Sequence, residues 1–132
     1  MAELAQIKRK ALAARRFEVP MAGRADAIIT LQVPTKHETM VSYLDCGTGA
    51  PAANSARWQR VMLERAIVAW RGLRVGDLLA THEAAAEDLP FDPEAIALLL
   101  DAQDEWATQL FGELMPRLEA RQAVQDTAEK NS

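Results

Sequence analysis

The stretch Ala27-Ile28-Ile29-Thr30-Leu31-Gln32-Val33 runs without a spacer into Pro34-Thr35-Lys36-His37-Glu38, and this junction constrains the fold more than any other feature. β-Branched residues and the alternation of Ile29, Leu31 and Val33 specify a strand with one apolar face. The Thr35 hydroxyl is spaced to accept from the Glu38 amide, while the Glu38 carboxylate reaches back to the Thr35 amide, which is a capping box. Strand therefore passes directly into helix. Upstream, Phe17-Glu18-Val19-Pro20 and a turn containing Gly23 supply a first strand, so 17–33 reads as a hairpin. Two strands alone are barely stable in water, so the hairpin must lie on helices or pair with another chain.

The helices follow from periodicity and caps. Met40, Tyr43 and Leu44 are the expected buried face of the helix after Thr35, with Gly47 ending it and 46–54 forming a loop. Ser55 is placed to cap a central helix carrying Trp58, Val61, Met62, Ile67, Val68 and Trp70 as far as Gly72. A weakly patterned connection, 73–90, has room for a short helix near 77–86. In Leu89-Pro90-Phe91-Asp92-Pro93-Glu94-Ala95-Ile96, Asp92 is positioned as a cap and Pro93 as the first helical residue. Phe91 and Ile96 have the spacing of a hydrophobic staple. The helix that follows carries Ile96, Leu99, Leu100, Ala107, Leu110, Phe111 and Leu114 on one side, and Pro116 is expected to kink or end it.

These elements predict an α+β, mainly α chain: an N-terminal β-hairpin packed on a bundle of three to four helices. At 132 residues there is room for one core. The expected divisions are a basic arm with helical spacing at 1–16, a single domain at 17–116 and a polar, frayed tail at 117–132. The arm carries Leu4, Ile7, Ala11 and Ala14 on a thin apolar stripe, which is marginal as a helix without a partner surface.

Charge is divided along the chain. Lys8, Arg9, Lys10, Arg15, Arg16 and Arg24 against Glu3 and Glu18 leave +4 through Arg24, so the net −4 of the whole chain puts −8 on the remainder. Basic patches of nucleic-acid binders normally dominate a domain's charge, and here the body is acidic, so nucleic acid is an improbable partner. The one cysteine, Cys46, excludes an intrachain disulfide and fits a reducing compartment. No apolar run approaches the ~20 residues that span a bilayer, and the start lacks the core of a secretory signal.

The residue types needed for chemistry are not assembled in the sequence. His37 and His82 have no Cys, His or acidic neighbours in a ligand pattern, so no metal is expected. Gly47-Thr48-Gly49 lacks the Lys and Ser/Thr of a phosphate loop. Asp101, Asp104 and Glu105 read as the solvated face of a helix, and Trp58, Trp70 and Trp106 as core. No catalytic residue and no cofactor are expected, and the chain reads as a protein-binding protein.

One resemblance rests on the order of these signals: Phe17-Glu18-Val19-Pro20, the apolar strand, Pro34-Thr35 with Glu38, Ala69-Trp70-Arg71-Gly72-Leu73, then 89–96. That order, over roughly 17–100, resembles the tail assembly chaperones of long-tailed bacteriophages. The chain departs from the pattern at Arg71, where an acidic residue is common, and in its longer basic segment before Phe17. The resemblance implies a small α+β domain that binds the tape measure protein and helps recruit tail tube protein subunits. It implies action in the host bacterial cytoplasm and absence from the mature virion. Leu4, Ile7, Leu99, Leu110, Phe111 and Leu114 are the expected partner-binding or self-association residues, and a homo-oligomer is expected. The alternatives are a structural tail completion or adaptor protein and a nucleic-acid-binding regulator.

Overall fold

A computed structural model describes residues 3–44 and 51–130, with side chains for 3–44 and 56–124. Cys46, the expected helix end at Gly47, and Thr48 and Gly49 lie outside the described residues. The element order is α1 (Leu4–Ala13), β1 (Arg16–Met21), β2 (Arg24–Gln32), α2 (Lys36–Leu44), α3 (Pro51–Ala66), β3 (Ile67–Arg71), α4 (Val75–Leu78), α5 (Ala95–Ala102) and α6 (Asp104–Lys130). The chain is α+β and mainly α, as the strand-to-helix junction predicts.

The hairpin forms with Arg16 opposite Gln32 and Val19 opposite Ile29. Gly23 turns the chain at φ +80°, a conformation that costs glycine little. Val19, Met21, Ala27, Ile29 and Leu31 are buried on one face. On the other face Arg71 donates to both carboxylate oxygens of Glu18 at 2.9 Å across the sheet. Both partners are exposed, so this pair contributes little to stability.

The sheet has a third strand that the sequence reading assigned to the central helix. α3 stops at Ala66 and residues 67–71 pair antiparallel with β2, Ile29 opposite Trp70. Ile67 and Val68 are stiff, β-branched residues suited to a pleated surface. Pairing them with β2 also satisfies the hydrogen bonds along its second edge, and it places Trp70 in the core at 7% exposure. The Trp70 indole donates to the Leu89 carbonyl at 2.9 Å and meets Phe91 edge to face at 4.7 Å. α3 begins at Pro51, four residues before the expected Ser55 cap, because proline is accommodated in a helix's first turn.

The segment after Gly72 is a folded loop whose one short helix, α4, covers only the start of the expected 77–86 stretch, and no helix forms over 79–86. The Val75 amide donates to the Glu87 carbonyl, the Gly76 amide to Ala85 and the Leu89 amide to Leu73, and Arg74 bridges Asp88. These cross-links use the backbone groups that a helix would need. The Asp92 carboxylate accepts from the Glu94 amide at 2.9 Å in the turn before α5, which starts at Ala95, two residues later than the expected Pro93, with Glu94 in the cap position and no side-chain cap bond. The single helix expected after it is divided: Gln103 leaves helical geometry at φ −126°, ψ 73°, and its side-chain amide donates to the Asp77 carbonyl at 3.0 Å.

Pro116 neither ends nor bounds α6, which continues to Lys130. Pro116 is exposed, and so is Gly112, whose carbonyl loses its ladder partner, so water can satisfy that group. Trp106, Leu110, Leu114 and Leu118 recur every fourth residue and are all buried. Leu118 anchors the turn beyond the proline, so at least the first part of the expected frayed tail belongs to the packed body. On α6 the Gln109 amide group accepts from the Ala22 amide and donates to the Pro20 carbonyl, gripping the end of the edge strand β1. Met62, Leu63 and Ala66 of α3 and Leu99 and Leu100 of α5 complete one core with the inner sheet face.

Candidate functional site

Side-chain burial divides the six expected partner-binding residues into three groups. Leu99 is 1% exposed, and Leu110 and Leu114 are 0%. They are core residues of the monomer and have no surface to offer a partner, because the apolar stripe of α5 and α6 is consumed by α3 and the sheet. Phe111 is half-buried, edge to face with Trp58 at 6.1 Å, and lines a hollow of about 210 Å³ between α3 and α6. Leu4 and Ile7, by contrast, are 65% and 52% exposed. Leu12 on the same helix is also exposed, and α1 has no buried residue.

A ten-residue helix that buries nothing is poorly supported in water, because helices of this length draw their stability from packing. α1 is joined to the body through Arg15. The Val33 amide donates to the Arg15 carbonyl at 2.7 Å, and the Arg15 guanidinium donates to the Val33 carbonyl at 2.8 Å. The same guanidinium pairs with Glu38. The predicted capping box is present at this joint: the Thr35 amide donates to Glu38 and the Glu38 amide to the Thr35 hydroxyl, each at 3.1 Å.

The box also orients α2 in a way the periodicity did not reveal. Met40, Tyr43 and Leu44, the expected buried face, are all more than half exposed. The residue facing inward is Ser42, whose hydroxyl donates to the Glu38 carbonyl at 2.9 Å and accepts from Arg65 of α3 at 3.0 Å. Polar contacts at Glu38 and Ser42 fix the helix's rotation and turn its apolar residues outward. The arm and α2 therefore leave the sheet on either side of the Arg15–Glu38 pair, and each carries large exposed apolar side chains. This surface is the strongest docking feature among the described residues.

At Glu38, burial works against ionisation, but the Thr35 amide and the positive charge of Arg15 outweigh it and hold the carboxyl below its ordinary 4.5. A depressed carboxylate contributes stability that is present above the unfolded-state value and is lost as pH falls through the folded-state value. Glu38→Gln is accordingly expected to cost about 1 kcal/mol at neutral pH, and the difference from wild type should vanish well below pH 4.5. Urea unfolding of both proteins at the two pH values measures this. A difference that persisted in acid would place the stabilising charge elsewhere.

A second ionic cluster has a purely internal role. Arg24 of β2 donates to Asp77 at 2.7 Å and to the Gly72 carbonyl at 2.8 Å, and also pairs with Asp26. Asp77 is buried, with its other oxygen accepting from the Arg74 amide at 2.8 Å. Both of its oxygens are engaged within the fold, tying the hairpin to the loop after β3. Among the described residues no three His, Cys, Asp or Glu side chains form a metal-binding group, and no helix is long and apolar enough to cross a membrane.

No protein-family profile, curated protein or solved structure matches this chain. The functional reading therefore rests on its own surface and on the motif order described above.

Proposed function

We propose that this protein is a tail assembly chaperone of a long-tailed bacteriophage, which holds the tape measure protein and helps recruit tail tube protein subunits in the host bacterial cytoplasm. The observation that carries this reading is the unpartnered arm: Leu4, Ile7 and Leu12 stand exposed on a helix with no buried residue. A long, helical, aggregation-prone client is held by apolar faces of this kind, each well-buried Leu or Ile contributing about 1.5–3 kcal/mol. Met40, Tyr43 and Leu44 extend the available apolar surface beyond the arm's joint. Many copies along one client, or copies associated with one another, add avidity. The protein acts by binding and leaves before the virion is complete.

Co-expression with the tape measure protein, followed by co-purification, tests this reading. Leu4→Asp with Ile7→Asp is expected to abolish capture while changing unfolding free energy by no more than about 0.5 kcal/mol, since neither side chain is buried. Capture that survives the double substitution would show that the arm is not the client site. Finding the protein in purified particles would favour a structural tail component instead.

A further inference from the structure

Where the arm meets the body, a hollow of about 250 Å³ is lined by Arg15, Arg16, Phe17 and Val33 together with Arg117 and Arg121 of α6. Four arginines line it, from segments roughly a hundred residues apart in sequence. Among the described residues, the carboxylates that pair with them are Glu38, taken by Arg15, and Glu113, taken by Arg117. Arg16 donates to the neutral Gln32 side chain at 3.0 Å. Arg121 has no partner among the described residues, and its Nε is buried without an acceptor. The Arg117 guanidinium lies 4.0 Å from the Phe17 ring centroid, which holds its plane in a defined orientation.

The geometry points to a carboxylate-binding cleft at the base of the arm, in which Arg16, Arg117 and Arg121 receive acidic side chains of a partner helix. The guanidinium fork matches the two oxygens of a carboxylate. Ala14, at the end of α1, lines the same hollow and falls on the same helix face as Leu4 and Ile7, so a segment lying along those two residues runs toward it. Its ligand is thus an amphipathic helix with apolar residues for the arm and Glu or Asp for the cleft. Nucleic acid suits the site less, because the −8 carried beyond Arg24 repels an extended polyanion, whereas one or two carboxylates are met only at short range. The inference rests on the proposed chaperone reading in one respect, that the client is helical, and adds the charge of the segment it presents.

The test uses the full-length chain and fluorescence anisotropy with three labelled probes. These are a Leu/Glu amphipathic helical peptide, the same peptide with Gln for every Glu, and a single-stranded oligonucleotide. Wild type is expected to prefer the Glu peptide by about tenfold at low salt, and R117Q/R121Q to reduce that preference to within about twofold while still binding the Gln peptide. Should R117Q/R121Q fail to fold by circular dichroism, R16Q/R117K takes its place and is expected to weaken the preference at least about threefold. Equal affinity for the two peptides, or a preference that survives the folded variant, overturns the cleft and leaves capture by the arm standing. Tighter binding of the oligonucleotide than of the Glu peptide also overturns it. An intact, arginine-dependent preference in a protein that fails to co-purify with tape measure protein supports the cleft and removes the chaperone reading instead.

Discussion

Gly72→Ala is expected to lower the unfolding free energy by about 3 kcal/mol or more, enough to unfold a marginally stable domain. Two effects add at this residue. Its φ of +75° lies in the left-handed region, which costs a residue with a Cβ roughly 1–2 kcal/mol. A Cβ built there would stand 1.8 Å from the Asp26 carbonyl oxygen, so β2 or the turn after β3 must move. Movement would also disturb Arg24, which donates to the Gly72 carbonyl and pairs with buried Asp77. Gly23 provides an internal control, since it shares the positive φ but has nothing within 4 Å of the added atom. Gly23→Ala should therefore cost only about 1–2 kcal/mol. Urea unfolding of the two variants compares them, and equal losses would mean that the contact between Gly72 and Asp26 relaxes freely.

Leu110→Ala is expected to destabilise by about 3–5 kcal/mol through lost transfer energy and the cavity left behind. Leu110 is 0% exposed, lies between Trp106 and Leu114 on the buried side of α6, and belongs to the cluster joining α3, α5 and the sheet. Its neighbours are held by two other layers, so collapse into the void is restricted. The comparison with Leu4 separates core from docking surface: Leu110→Ala should lower stability, and Leu4→Asp should affect client capture alone. A loss below about 1 kcal/mol at Leu110 would contradict the packing of α6 against the body.

The residues that carry the resemblance to tail assembly chaperones have definite structural jobs in this chain. Thr35 and Glu38 cap α2, Trp70 seals the sheet against Leu89 and Phe91, and Gly72 admits the Asp26 carbonyl. Asp92 begins the turn into α5. The motif order thus describes how the chain folds. The apolar arm, α2 and the arginine cleft are the features through which it would meet another protein.

Signals confined to a few neighbouring residues were legible in the sequence. The hairpin at 17–33, the Thr35 box, the Asp92 turn before α5 and the i, i+4 stripe of α6 depend on local hydrogen bonds and side-chain periodicity, which neighbouring residues determine among themselves. The exposure of Leu4 and Ile7 was legible too, because so thin a stripe on a short, charged helix has little to bury. The remaining features were decided by contacts between distant segments. Ile67 to Arg71 became a strand because β2 had a free edge to pair, and α6 ran past Pro116 because Leu118 found the core. Met40, Tyr43 and Leu44 turned outward because Arg65 and Arg15 hold the polar side of α2. Leu99, Leu110 and Leu114 show the same limit: periodicity identifies an apolar face, but only the packed structure decides whether the chain itself or a partner covers it. The arginine cleft, built from residues 15–17 and two turns of α6, exists only because the fold brings those segments together.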